Sequence, residues 1–176
     1  MPRKTLQMIF LVLGMFCFDL RSASAQSSGN AIEVAVRSIS FLKPPLTGTV
    51  LVAVIYEPGD AESVRESRAI ERALASSDNF RPTSFRLKRV PADALDQLGA
   101  AKVAFVTRGT NYREIAAASA SRSILTISFD PACARAGQCV LTVSSRPKVQ
   151  IVVSRAAAAA ARVRFNSSFL MLIKEI

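Results

Sequence analysis

Apolar residues recur along this chain with two periods, one helical and one strand-like. Ile32, Val36, Ile39 and Leu42 fall near the 3.6-residue period. Ala31 to Leu42 therefore reads as a helix, with Asn30 as N-cap and Pro44-Pro45 as its stop. Thr49 to Tyr56 (TVLVAVIY) is an almost unbroken β-branched run, the pattern of a parallel strand buried on both faces. After the loop Glu57 to Asp60, Ala61 to Ala75 places Val64, Ile70 and Leu74 on one helical face, with Asp60 as cap. Its Glu62, Arg65, Arg68 and Glu71 stand at mutually supporting i,i+3 spacings and read as a solvated face.

Ser76 to Pro82 is a polar connection, and Ser84 to Val90 alternates as a strand. Pro91 to Leu98 reads as a short helix opened by Pro91. Lys102 to Thr107 is a short buried strand, Asn111 to Ala120 a helix and Ser123 to Phe129 another strand. Cys139 to Val143 and Val149 to Val153 form a hairpin across Ser144 to Lys148. Six alanines, Ala156 to Ala161, read as a short helix. Asn166 to Ile176 reads as a closing helix with Phe165, Phe169, Leu172, Ile173 and Ile176 on a core-facing stripe. Alternating β and α units predict an α/β three-layer sandwich. Its sheet is mainly parallel and ends in an antiparallel hairpin, with helices on both faces.

The first 25 residues change the reading of the rest. Arg3 and Lys4 precede an apolar run from Leu6 to Phe18, and Ala23-Ser24-Ala25 is a small-x-small cleavage site. Residues 1–25 are expected to be a cleaved signal peptide. Gln26 to Gly29 would be a loose start, and 26–176 one α/β domain. Phe16 before Cys17 does not suit lipidation. The expected location is the periplasm. Removing residues 1–25 takes out Arg3, Lys4, Arg21 and Asp19, so the net charge falls from +10 to +8. In that compartment a basic surface implies an anionic membrane or an acidic partner rather than nucleic acid, with plain solubility as the bland alternative.

The mature chain keeps Cys133 and Cys139. Pro131 can open a helical turn and Gly137 can end one, which would bring the two together. Export makes a disulfide the natural reading, worth about 2 kcal/mol in the loop-entropy model. Two reduced, half-buried thiols are the other. There is no histidine anywhere. This excludes Ser-His-Asp and Cys-His catalysis and His-containing zinc sites, and two thiols cannot make a four-thiolate site. No catalytic activity, metal or cofactor is expected.

Three features are candidates for chemistry. Arg108-Gly109-Thr110, between a strand and a helix, has backbone N–H groups that could hold an anion, yet a single glycine makes no phosphate-binding fingerprint. The Glu57 to Asp60 loop stands where α/β sheets bind ligands. Asp93 and Asp96 are neighbouring carboxylates with solvation as their default.

Several segments in order carry a resemblance. They are Ile124-Leu-Thr-Ile-Ser-Phe-Asp130, Gly137, the hairpin with Val149-Gln-Ile-Val-Val153, the alanine run, and Ser167-Ser168-Phe-Leu-Met-Leu172. Together they resemble the YfiR/HmsC-like family of exported bacterial proteins, best over Ser123 to Ile173 and more weakly back to the first helix. The resemblance implies a three-layer α/β domain without enzymatic activity. It implies binding to the periplasmic sensing region of an inner-membrane diguanylate cyclase, with cyclic-di-GMP output and biofilm formation repressed. Cys133 and Cys139 fall where the family's C-terminal disulfide lies, whose redox state is tied to repressor stability or activity. The chain departs from the family in lacking cysteines for its other disulfide. The family's Trp-Pro is replaced around Lys43-Pro44, and there is no Trp. The departures bear on ligand and partner surfaces more than on fold.

The function expected is a non-enzymatic periplasmic regulator that binds the periplasmic part of an inner-membrane signalling protein, a diguanylate cyclase or histidine kinase. A homodimer is a further partner expectation. The alternative is a small-ligand-binding protein serving a transporter or sensor, which a deep polar pocket beside the Glu57 loop would favour. Protein purified from the periplasm should show no free thiol under denaturing, non-reducing conditions. Labelling of Cys133 or Cys139 would reject the disulfide.

Overall fold

The computed structural model describes residues 22–76, 83–145 and 148–176. The expected signal peptide up to residue 21, most of the Ser76 to Pro82 connection and the hairpin turn at 146–147 lie outside them. The strands are β1 (Gly48–Tyr56), β2 (Thr83–Pro91), β3 (Val103–Val106), β4 (Leu125–Ser128), β5 (Leu141–Ser144), β6 (Gln150–Val153) and β7 (Lys174–Glu175). They form one seven-stranded sheet in the order β2-β1-β3-β4-β5-β6-β7. β1 to β5 are parallel, β6 is antiparallel to β5, and β7 is parallel to β6. The α/β class, the mainly parallel sheet and the terminal antiparallel hairpin are thus as expected from the pattern.

The helices are α1 (Ser22–Ile39), α2 (Ala61–Ala75), α3 (Tyr112–Ala120), α4 (Pro131–Arg135), α5 (Arg155–Ala160) and α6 (Ser167–Leu170). The strand period of two splits the core into two clusters. Val50, Val52, Val54, Val103, Phe105, Leu125 and Ile127 face a large cluster that includes α1, the inner face of α2, and Phe165 and Phe169. Ala53, Ile55, Ala104 and Val106 face a smaller one with Ile115 of α3 and both cysteines. The cap expected at Asp60 is present, its carboxylate accepting from the N–H groups of Glu62 and Ser63.

Four expectations about elements need correction. α1 begins at Ser22, so Gln26 to Gly29 are helical. Once Ala31 to Ile39 is held by packing, each added residue costs little, because nucleation is already done. α1 also ends at Ile39, three residues early. Lys43 N–H donates to Arg164 O and Asn166 N–H to Phe41 O, so a bridge to the C-terminal segment replaces the last helical turn. Pro91 closes β2 instead of opening a helix. Edge strands tolerate proline, and a 3₁₀ turn follows only at Leu95–Leu98.

The fourth correction is the C-terminus. The single helix expected over Asn166 to Ile176 is one turn, α6, followed by β7. Phe165 and Phe169 are buried, and Phe169 stacks on Phe41 with centroids 4.8 Å apart. Leu172 is 80% exposed. The open edge of β6 competes with the helix for these backbone groups and takes Lys174 and Glu175 as a strand.

The corrected C-terminus separates two substitutions that a single helix would treat alike. Phe169→Ala should cost about 3–5 kcal/mol of unfolding free energy. Leu172→Ala should stay within about 0.5 kcal/mol. Denaturant titration of both variants checks this, and equal losses would restore the continuous helix.

Candidate functional site

Strand order reverses at β1, which has β2 on one side and β3 on the other. The chain leaves the carboxyl ends of β1 and β3 in opposite directions, opening the crevice where α/β sheets bind ligands. The loop at Glu57 to Asp60 and the turn Arg108-Gly109-Thr110 meet there. The sequence had presented them as unrelated candidates.

A polar network joins them. Ser63, at the buried start of α2, accepts from Glu57 N–H at 2.8 Å and contacts Thr107 Oγ1 at 2.6 Å. Thr107 Oγ1 donates to Ile55 O at 3.0 Å, and Thr110 Oγ1 to Thr107 O at 2.9 Å. Ser63 and Thr107 are fully buried, so each hydroxyl must find a partner in the protein. Gly109 has a φ of +79°, and a Cβ there would overlap the Asp60 carboxylate. Only glycine lets this turn press against the cap of α2.

Three carboxylates, Asp60, Glu66 and Asp130, line the rim. Glu66 Oε2 accepts from Arg108 N–H at 2.9 Å. Asp130 caps α4 through Ala132 N–H and accepts the Tyr112 hydroxyl at 3.1 Å. The Arg108 guanidinium donates to Phe129 O at 3.3 Å. Burial pushes the Glu66 carboxyl above the ordinary range, only partly opposed by the Arg108 backbone bond and charge. Burial, then the nearby Asp130 carboxylate, pushes the Tyr112 phenol up.

The anion-holding reading of Arg108-Gly109-Thr110 therefore fails. Its first N–H is taken by a carboxylate, and Asp60 stands against Gly109. Most polar groups on the rim are spent on caps and on one another. The neighbouring depression along Thr110, Asn111, Tyr112, Arg113, Glu114 and Gln138 is shallow. Asp93 and Asp96 are exposed. Among the described residues no group of three His, Cys, Asp or Glu is placed to hold a metal ion. None of their helices is long and apolar enough to cross a membrane.

Cys133 and Cys139 are joined as a disulfide with Cα atoms 5.2 Å apart. Both are fully buried. Gly137 at φ +69° ends the turn of α4, and Gln138 and Cys139 N–H both donate to Cys133 O. The bond lies directly behind the rim, because Asp130 caps the helix that carries Cys133. Glu66, Ser63 and Tyr112 were not singled out from the sequence. The available signal was serine at inward-facing helix positions, where alanine is the ordinary filler.

Glu66 makes the rim sensitive to pH. Its raised pKa means the folded state holds a proton that the unfolded state releases, so stability falls as pH rises past the ordinary value of 4.5. Glu66→Gln keeps an acceptor for Arg108 N–H and removes the buried charge. The variant should melt higher than the parent at neutral pH, with the gain shrinking as pH drops toward 4.5 and lost below it. Melting curves across pH check this, and a constant difference would reject it.

A search of curated proteins finds no match. Among solved structures, a conserved domain protein from Vibrio cholerae O1 biovar El Tor superposes with a TM-score of 0.64 at 11% identity, over 82% of this chain and 59% of that one. The ABC domain from Streptococcus pneumoniae, solved in complex with L-Trp, superposes with a TM-score of 0.58 at 12% identity, over 85% and 60%. This chain spans about three fifths of either protein, and at such identity the likeness is one of fold. The family model DUF4154, YfiR/HmsC-like, matches residues 55–173, well over half of the 176 residues, and the chain belongs to the YfiR/HmsC-like family.

Proposed function

We propose that this protein is exported through a signal peptide at residues 1–25 and regulates, without catalysis, an inner-membrane signalling protein. It binds the periplasmic part of a diguanylate cyclase or histidine kinase and modulates its output, with cyclic-di-GMP and biofilm formation downstream. The observation that carries this reading is membership of the YfiR/HmsC-like family, whose general role is periplasmic regulation. The absence of histidine supports the non-enzymatic part. The buried Cys133–Cys139 bond suits an oxidising compartment. In this reading it holds the turn behind the rim, and a homodimer is one form in which the regulator would act.

Small-ligand binding for a transporter or sensor is the second reading, favoured by the crevice at the strand-order reversal. The self-satisfied rim weighs against it, since a ligand would first have to displace bonds the protein makes with itself.

The adjacent genes should encode a membrane protein with a cyclase or kinase output domain, and deleting this gene should change that output. A transport operon in that place, or an unchanged output, would overturn the regulator reading.

A further inference from the structure

The outer face of α2 carries arginines that the fold leaves without carboxylates. At 100° per residue, Arg65, Arg68 and Arg72 fall within about 60° of one another, a stripe about 10 Å long. Ser63, Ser67, Ile70 and Leu74 occupy the opposite, buried face. The sequence spacing suggested that the helix's own glutamates would neutralise this stripe. They do not: two of them face partners outside the helix. Glu66 turns to Arg108 N–H, and Glu71 lies 3.9 Å from Arg89 Nε. Among the described residues, ion pairs occur only at Arg37–Glu33 and Arg89–Glu71, so the three guanidinium groups have no carboxylate partner. Arg72 Nε donates to Arg68 O, which fixes its direction along the helix.

The stripe borders a depression whose other walls are Pro58, Gly59, Ala61, Val64 and the side chain of Glu71. An apolar wall beside a row of guanidinium groups matches one side of an amphipathic acidic helix. Arginine grips carboxylates in pairs of hydrogen bonds, which lysine does not. A bilayer fits less well. The exposed large apolar residues, Val149, Met171 and Leu172, precede β6 and β7. Those strands form the opposite edge of the sheet from β1 and β2, on which α2 packs. A membrane gripped by the arginines would leave the apolar residues on the far edge.

We infer that the α2 face of Arg65, Arg68 and Arg72 is a docking surface for an acidic amphipathic helix of a partner protein. The inference rests on the regulator reading for the partner's identity, and on the unpaired stripe for the surface.

The test uses the exported protein and a fluorescein-labelled peptide of about 18 residues, five helical turns, with leucine on one face and glutamate on the other. The triple change Arg65→Glu, Arg68→Glu and Arg72→Glu should weaken binding by at least ~10-fold, measured by fluorescence anisotropy. The same charge change at exposed Arg113, Arg122 and Arg135 should alter it by less than ~3-fold. All six side chains are exposed, so melting temperatures should confirm that both variants remain folded. No binding of the peptide, an equal loss in both variants, or tighter stripe-dependent binding to phosphatidylglycerol vesicles would overturn the docking surface. Complementation separates the two claims. If deleting the gene changes the partner's output and the stripe variant restores it fully, the surface is rejected and the regulator reading stands. If deletion changes nothing, the regulator reading falls, and the peptide result alone decides the surface.

Discussion

The burial of β1 on both faces is the constraint on which the rest of this structure depends. Val50, Val52 and Val54 point into one cluster, and Ala53 and Ile55 into the other. A strand with apolar groups on both sides must be covered on both, which dictates three layers. It must also be paired along both edges, and β2 and β3 do so in parallel register. With β1 central, the following crossovers diverge, and the crevice at its carboxyl end is a consequence. The Ser63–Thr107 contact then locks the two exits together, because two buried hydroxyls have only each other and nearby backbone to bond.

That lock shapes the function the molecule supports. Crevices of this type hold ligands when their polar groups are free. Here Asp60 and Asp130 are used as caps, Glu66 holds the Arg108 backbone, and Tyr112 is bound to Asp130. The groups that would greet a ligand stiffen the rim instead. Under the regulator reading proposed above, recognition falls to surfaces. The same diversion of Glu66 and Glu71 to partners outside the helix leaves the arginines of α2 uncompensated.

Much of the fold was legible because its signals are local. The β-branched run of β1, the Asp60 cap, and the Pro131 and Gly137 bounds of the α4 turn can each be recognised within a few residues. The ends of the chain's outer elements were not. Leu42 trades a helical turn for a bridge to Phe165, and Lys174 trades a helix for a place beside β6. In both cases a distant backbone offered hydrogen bonds that local periodicity cannot register. The site followed the same rule. Its two loops could be found separately, but their meeting required strand order, and the partner of Glu66 stands 42 positions away.

The sequence by itself determined the class of the fold, the segments that build it and the lack of histidine chemistry. These depend on side-chain period and residue type, which act within one element. Only the tertiary structure decided which charges are neutralised, which loops meet and where the chain ends as strand rather than helix. Those outcomes depend on which groups share a neighbourhood after folding, and charge and hydrogen bonding are settled by neighbours in space.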